Sequence, residues 1–195
     1  PTISRRQRQM CIRDSLIFIP IPFVQASFID TEAETAVIID ATTGKVLFEK
    51  EMNKKTYPAS MTKIMTTLIV FEKLSNGTLS LDDKFLVSEK AWREREGSSM
   101  FVEVDKEIRV EDLLRGIIVQ SGNDACIVIA ENIAGSEEAF AIIMTSKAKE
   151  IGMLNTNFTN STGMHSNDNY STVYDIAILS QYLINEFPEY YHSVS

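Results

Sequence analysis

Tyr57-Pro58-Ala59-Ser60-Met61-Thr62-Lys63 runs directly into the apolar stretch Ile64-Met65-Thr66-Thr67-Leu68-Ile69-Val70. Pro58 suits the first turn of a helix, the apolar run supports its continuation, and a spacing of three places Ser60 and Lys63 on one face. A hydroxyl then faces an amine across a single turn. Such a pair works as nucleophile and base when burial or a second cation lowers the lysine pKa enough to leave the amine neutral. The pattern alone is not diagnostic, since residues this common produce Ser-x-x-Lys roughly once in a chain of this length.

On the N-terminal side, Ala36-Val37-Ile38-Ile39-Asp40 and Lys45-Val46-Leu47-Phe48-Glu49 are β-rich runs separated by Ala41-Thr42-Thr43-Gly44, the pattern of a hairpin. The Ser60 helix is expected to end near Asn76-Gly77, where Gly supplies a left-handed cap. Lys84 to Val87 predicts a short strand and Met100 to Val104 another. The polar, Gly-punctuated segment from Trp92 to Ser99 between them predicts a surface loop. Helical periodicity returns over Val110 to Val119 and Asp124 to Ala134. Ser136 caps a helix from about Glu137 to Ile151, and Ser171 caps one running through Leu183 with Pro188 just beyond its end. Asn155 to Tyr170 is rich in Asn, Ser, Thr and Gly and is expected to be irregular. Strands at the start and a block of helices in the middle indicate an α+β domain with helices packed on a sheet. A two-stranded hairpin is a poor sheet by itself, so the sequence is read as an N-terminal fragment whose sheet expects more strands.

The chain has 195 residues, 44% hydrophobic and 24% charged, enough for a sizeable core. With 19 basic and 27 acidic residues the net charge is -8, and no basic cluster lies in the body of the chain, which argues against nucleic acid as a partner. Residues 1 to 15 differ, with Arg5, Arg6, Arg8 and Arg13 set against Asp14. Leu16 to Val24 then forms a short apolar core broken by Pro20 and Pro22, followed by Gln25-Ala26-Ser27. A basic segment, an apolar core and a cut after Ala26 are the parts of a secretory signal peptide, residues 1–26, too short to span a membrane as a helix. The first 15 residues are unusually rich in Arg and Gln for that role. Residues 27–195 are then read as a partial domain, expected to be exported to the periplasm or cell envelope. Cleavage leaves Cys126 as the one cysteine, so no disulfide framework exists in the mature chain. Among Ala125, Ile127, Val128 and Ile129 it is expected to be a small buried residue rather than a nucleophile.

The second chemical signal is Gln120-Ser121-Gly122-Asn123-Asp124-Ala125, a polar turn wedged between two apolar helices. A turn so placed can project Ser121 and Asn123 into a cleft while the helices hold it still. It would serve equally as a plain connector, with both side chains capping backbone groups. Asp124 is expected to serve the start of its helix, and His165 to lie on the surface. No His-Glu-x-x-His or Cys/His cluster suggests a metal.

Together these residues resemble the low-molecular-mass penicillin-binding proteins of the D-alanyl-D-alanine carboxypeptidase type, relatives of the serine β-lactamases. The similarity spans roughly Thr35 to Phe187. It includes Pro58 to Lys63, Gly97-Ser98-Ser99-Met100, Leu114-Arg115-Gly116, Ser121 to Ala125 and Asn160-Ser161-Thr162-Gly163-Met164-His165, in order and at matching separations.

The resemblance implies a β-lactamase/transpeptidase-like fold and a serine peptidase without metal or organic cofactor. Ser60 would attack the carbonyl of the penultimate D-alanine of a peptidoglycan pentapeptide, and Lys63 would take its proton. Ser121 would pass a proton to the leaving D-alanine, and the Asn123 amide would hold the substrate backbone. The Ser60 N–H would supply half an oxyanion hole. β-Lactam antibiotics would acylate the same serine, and a C-terminal segment absent from this chain would touch the inner-membrane surface. The family's third motif, Lys-Thr-Gly, is absent, so residues 27–195 alone are expected to show little activity. A DD-endopeptidase would share these groups. A class A β-lactamase needs a glutamate that Asn155 to Tyr170 does not contain. A non-catalytic peptidoglycan- or penicillin-binding envelope protein is the alternative from another class.

Overall fold

A computed structural model of the chain describes residues 29–94 and 96–193. The segment expected as a signal peptide lies outside the described residues. The architecture is α+β, with two small antiparallel sheets at the margins of a helical block.

The hairpin forms as expected. Strand β1 (Ala36–Ile39) pairs with β2 (Val46–Lys50), with Ala36 opposite Lys50, Ile38 opposite Phe48 and a bulge between Ile38 and Ile39. Its turn is closed by Asp40, whose carboxylate accepts from the Thr43 amide at 2.7 Å, the Thr43 hydroxyl at 2.8 Å and the Thr42 amide at 3.0 Å. Those bonds hold the Asp40 carboxyl below its ordinary pKa.

A 3-10 turn, Ala59–Met61, leads into α1 (Thr62–Ser75), and this helix is the axis of the fold. Pro58 stands at the head of the turn with φ -70°, as its ring requires. From Met65 to Phe71 every side chain is buried. A helix buried on all sides needs neighbours on all sides, and α1 has them in α3 (Val110–Gln120), α4 (Asn123–Ala134), α5 (Glu137–Glu150) and α6 (Val173–Glu186). Leu68, at the centre and fully buried, would cost about 2–5 kcal/mol if cut back to Ala. Helix α4 is buried as completely from Asn123 to Ala130.

The second sheet pairs β3 (Lys84–Leu86) with β4 (Glu107–Arg109), Phe85 opposite Ile108. Here the structure corrects the expected strand over Met100 to Val104. The amides of Met100 and Val102 donate to the Asp124 carboxylate, both at 3.0 Å, and Phe101 between them has φ +62°. Amides taken by a side chain cannot join a ladder, so the strand forms further on at Glu107. The surface loop from Trp92 to Ser99 is also corrected at both ends. Trp92 and Arg93 belong to a short helix, α2 (Glu89–Arg93), because the Ser88 hydroxyl accepts the Ala91 amide at 3.0 Å as its cap. At the other end Ser99 is buried.

The cap of α6 is Thr172 rather than Ser171. The Thr172 hydroxyl accepts the Asp175 amide at 3.0 Å, while Ser171 is buried and bonded to Thr156 at 2.8 Å. Pro188 starts a further short helix, α7 (Pro188–Ser193), just past the end of α6. Asn155 to Tyr170 is irregular as expected, tied down by isolated bridges from Asn157 to Tyr170 and from Thr56 to Ser171. Buried Asp175 fixes its entry, accepting the Asn155 amide at 2.8 Å and the Thr156 hydroxyl at 2.7 Å.

Candidate active site

The expected pair meets where the 3-10 turn carrying Ser60 runs into the central helix carrying Lys63. Lys63 Nζ lies 3.5 Å from Ser60 Oγ, with Ser60 exposed and Lys63 only 5% exposed. The ammonium is out of water and, among the described residues, makes no ion pair. Its strong contact is donation to the Thr162 carbonyl at 2.7 Å. Burial lowers the Lys63 pKa. Cys126 is the neighbour that would oppose this if ionised, but burial pushes that thiol up to about 12, so it is uncharged at neutral pH. The fully buried Cys126 is the inert small residue the sequence indicates.

The Ser60 turn is braced from the 160–164 loop. Gly163, with φ +84°, lies directly on the Ala59 carbonyl, and Asn160 Oδ1 accepts the Gly163 amide at 2.7 Å. Ala59 itself has φ +48°, a left-handed conformation costing of order 1 kcal/mol for a residue with a Cβ. Ser121 adopts the same region, φ +56°, as the C-cap of α3. Both the residue before Ser60 and the second serine are therefore held in backbone states that the surrounding packing must enforce.

Ser121 lines one cleft with Ser60 and Lys63. This cleft has a volume of about 420 Å³, and its remaining wall is mostly apolar, with Ile64, Ile117, Ile118 and Leu183 beside the polar Thr67 and Ser180. Asn123 is placed differently. It is 6% exposed, its side-chain nitrogen donates to the Glu96 carbonyl at 2.7 Å, and it borders a neighbouring cavity with Thr162 and Met164. Its backbone N–H donates to the Ser98 carbonyl at 2.8 Å. The structure thus brings Ser60, Lys63 and Ser121 to one space, with Asn123 pinning the 96–98 loop beside it.

Asp124 does more than start its helix. Besides the Met100 and Val102 amides it accepts the Ser99 hydroxyl at 2.5 Å and the Ala125 amide at 2.9 Å. Burial alone would raise its pKa, and these hydrogen bonds outweigh it and hold the carboxyl below the ordinary value. His165 is exposed, as expected, and meets the Tyr57 ring edge-on at 4.8 Å. Among the described residues no group of three or more His, Cys, Asp and Glu side chains is placed to hold a metal ion.

The sequence motifs did not reveal the Thr162 carbonyl as the partner of Lys63, nor the apolar wall. The compact polar run Asn160-Ser161-Thr162-Gly163 was the available signal for the first.

A family model described as D-alanyl-D-alanine carboxypeptidase, peptidase S11, matches residues 23–195. The D-alanyl-D-alanine carboxypeptidase DacF of Bacillus subtilis (strain 168) is 46% identical over 153 residues, 78% of this chain and 39% of that protein. The crystal structure of the D-alanyl-D-alanine carboxypeptidase DacD from Francisella tularensis matches with a TM-score of 0.83 and 40% identity, over 85% of this chain and 40% of that one. Penicillin-binding protein D2 from Listeria monocytogenes, in its ampicillin-bound form, matches with a TM-score of 0.71 and 28% identity, over 80% of this chain and 63% of that one. The chain spans about two fifths of the length of both carboxypeptidases. These likenesses bear out the α+β, transpeptidase-like fold.

Proposed function

Because the chain belongs to the D-alanyl-D-alanine carboxypeptidase family, peptidase S11, we propose that it carries the nucleophile and base of a serine-type carboxypeptidase acting on peptidoglycan stem peptides. The observation that carries this is the buried Lys63 amine, without an ion pair among the described residues, 3.5 Å from the Ser60 hydroxyl. A neutral amine takes the Ser60 proton as Oγ attacks the carbonyl between the last two D-alanines, a general-base contribution of about 10²–10⁴-fold. The tetrahedral intermediate collapses with cleavage of the C–N bond. D-Alanine leaves as its nitrogen gains a proton through Ser121, and an acyl-Ser60 ester remains. Water then adds to the ester carbonyl, the C–Oγ bond breaks to release the shortened peptide with a new terminal carboxylate, and Ser60 recovers its proton.

Asn123 would orient the substrate backbone, either directly or by fixing the 96–98 loop that it holds. A β-lactam would be attacked by the same Oγ. Its cleaved C–N bond lies in a ring, so the leaving amine stays attached and blocks the water. We place the protein in the periplasm or cell envelope, where peptidoglycan is, in keeping with the basic and apolar N-terminal segment.

The test uses the full-length gene product and a peptide ending in D-Ala-D-Ala. Release of one D-alanine per peptide, abolished in Ser60→Ala and Lys63→Ala, is the expected result. Release that survives Ser60→Ala would overturn the assignment.

A further inference from the structure

We propose that Glu137 is a positioning residue for Lys63, acting through Ser161 and Thr162. The inference rests on the roles given to Ser60 and Lys63 above. Glu137 is the first residue of α5, where a carboxylate ordinarily stays in water near the helix N-terminus. Here it is 7% exposed and turned toward the 160–164 loop. Its Oε1 accepts both the Ser161 amide at 3.0 Å and the Ser161 hydroxyl at 2.8 Å, and its Oε2 accepts Lys90 Nζ at 3.0 Å. Burying a carboxylate is costly unless its lone pairs are taken, and three donors take them.

The grip on Ser161 is two-sided. From the opposite direction the hydroxyl of Thr66, on α1 one turn after Lys63, donates to the Ser161 carbonyl at 2.7 Å. The next carbonyl along the chain, that of Thr162, is the one that receives Lys63 Nζ at 2.7 Å. Its peptide plane is fixed in turn, because the Gly163 N–H of that plane donates to Asn160 Oδ1 at 2.7 Å. Glu137 therefore sets the residue immediately before the acceptor that holds the base. A flexible four-carbon lysine stem needs such a fixed acceptor to keep Nζ near Ser60. Glu137, Ser161 and Thr162 do not line the cleft that Ser60 and Ser121 share, although Glu137 and Thr162 border the neighbouring cavity with Asn123, so the effect is read on the acylation step rather than on binding.

Rapid-mixing kinetics of acylation by a fluorescent penicillin, on the full-length gene product, separate the pre-covalent dissociation constant from the first-order acylation constant. Glu137→Ala is expected to lower the acylation constant about tenfold, with the dissociation constant and the final labelled fraction unchanged. Glu137→Gln retains an oxygen for Ser161 but not the charge, and is expected to restore the constant to within about threefold of wild type. A wild-type acylation constant in Glu137→Ala, or a Gln variant as slow as the Ala variant, would overturn the proposal. Should Glu137→Ala not fold, Thr66→Val removes the other tie on Ser161. That variant must then show the slowed acylation step at full labelling, and a wild-type constant in it overturns the proposal. A wild-type protein that takes no label contradicts the Ser60 assignment itself, a distinct result.

Discussion

Gly163 sits so close to Ala59 that an ideal Cβ at position 163 would stand 1.8 Å from the Ala59 oxygen. That carbonyl belongs to the residue before Ser60, and Gly163 has φ +84°, where a side chain is strained even in open space. Gly163→Ala must therefore push the Ser60 turn and the 160–164 loop apart. Penicillin acylation is expected to slow at least about tenfold, read by the rate of label incorporation. An unchanged rate would mean that the turn is not braced from this loop.

Lys63 works as a base only when neutral, and burial lowers its pKa from the ordinary 10.5. The rate of acylation should rise with pH through a midpoint below 10.5, and Lys63→Arg, which cannot deprotonate, should abolish it. Between the folded pKa and 10.5 the unfolded chain binds more protons at this site, so stability rises with pH across that interval. Denaturant midpoints measured from neutral to alkaline pH should show this slope in wild type and less of it in Lys63→Met.

Asp124 holds the 99–102 segment through three donors and accepts a fourth from the Ala125 amide. Asn can accept some of these bonds but brings an N–H₂ where the structure supplies only donors. Asp124→Asn is expected to cost about 3 kcal/mol in urea unfolding. Since its folded pKa lies below 3.8, the wild-type advantage is fully present above that value and disappears as pH falls through the folded pKa. A variant as stable as wild type at neutral pH would refute this role.

Cys126 is fully buried with its thiol pushed up to about 12. Alkylating reagents at neutral pH should leave it unmodified in the native protein and modify it once the chain is unfolded, as peptide mass mapping would show. Rapid native modification would place it in an accessible site.

The sequence announced those elements whose signals are local. The Asp40 to Gly44 turn, the Pro58 start, the Ser136 cap and the apolar period of the helices each reside in a few adjacent residues, and all formed near their expected places. Ser60 and Lys63 belong with these, because a three-residue spacing on a helix fixes their meeting. Asp124 holding Met100 and Val102, Glu137 holding Ser161 and Thr162 receiving Lys63 join residues 22, 24 and 99 positions apart. Such pairings are decided by helix packing, which periodicity cannot supply. The missed strand at Glu107 follows from the same cause, since a distant carboxylate had claimed the amides of the better-looking run.

The most direct test of the central claim is intact mass measurement of the full-length gene product after incubation with benzylpenicillin, followed by peptide mapping. One penicilloyl group on Ser60, absent from Ser60→Ala and strongly slowed in Lys63→Ala, is the result predicted. An adduct on another residue, or equal labelling of Ser60→Ala, would contradict the assignment of Ser60 as the nucleophile.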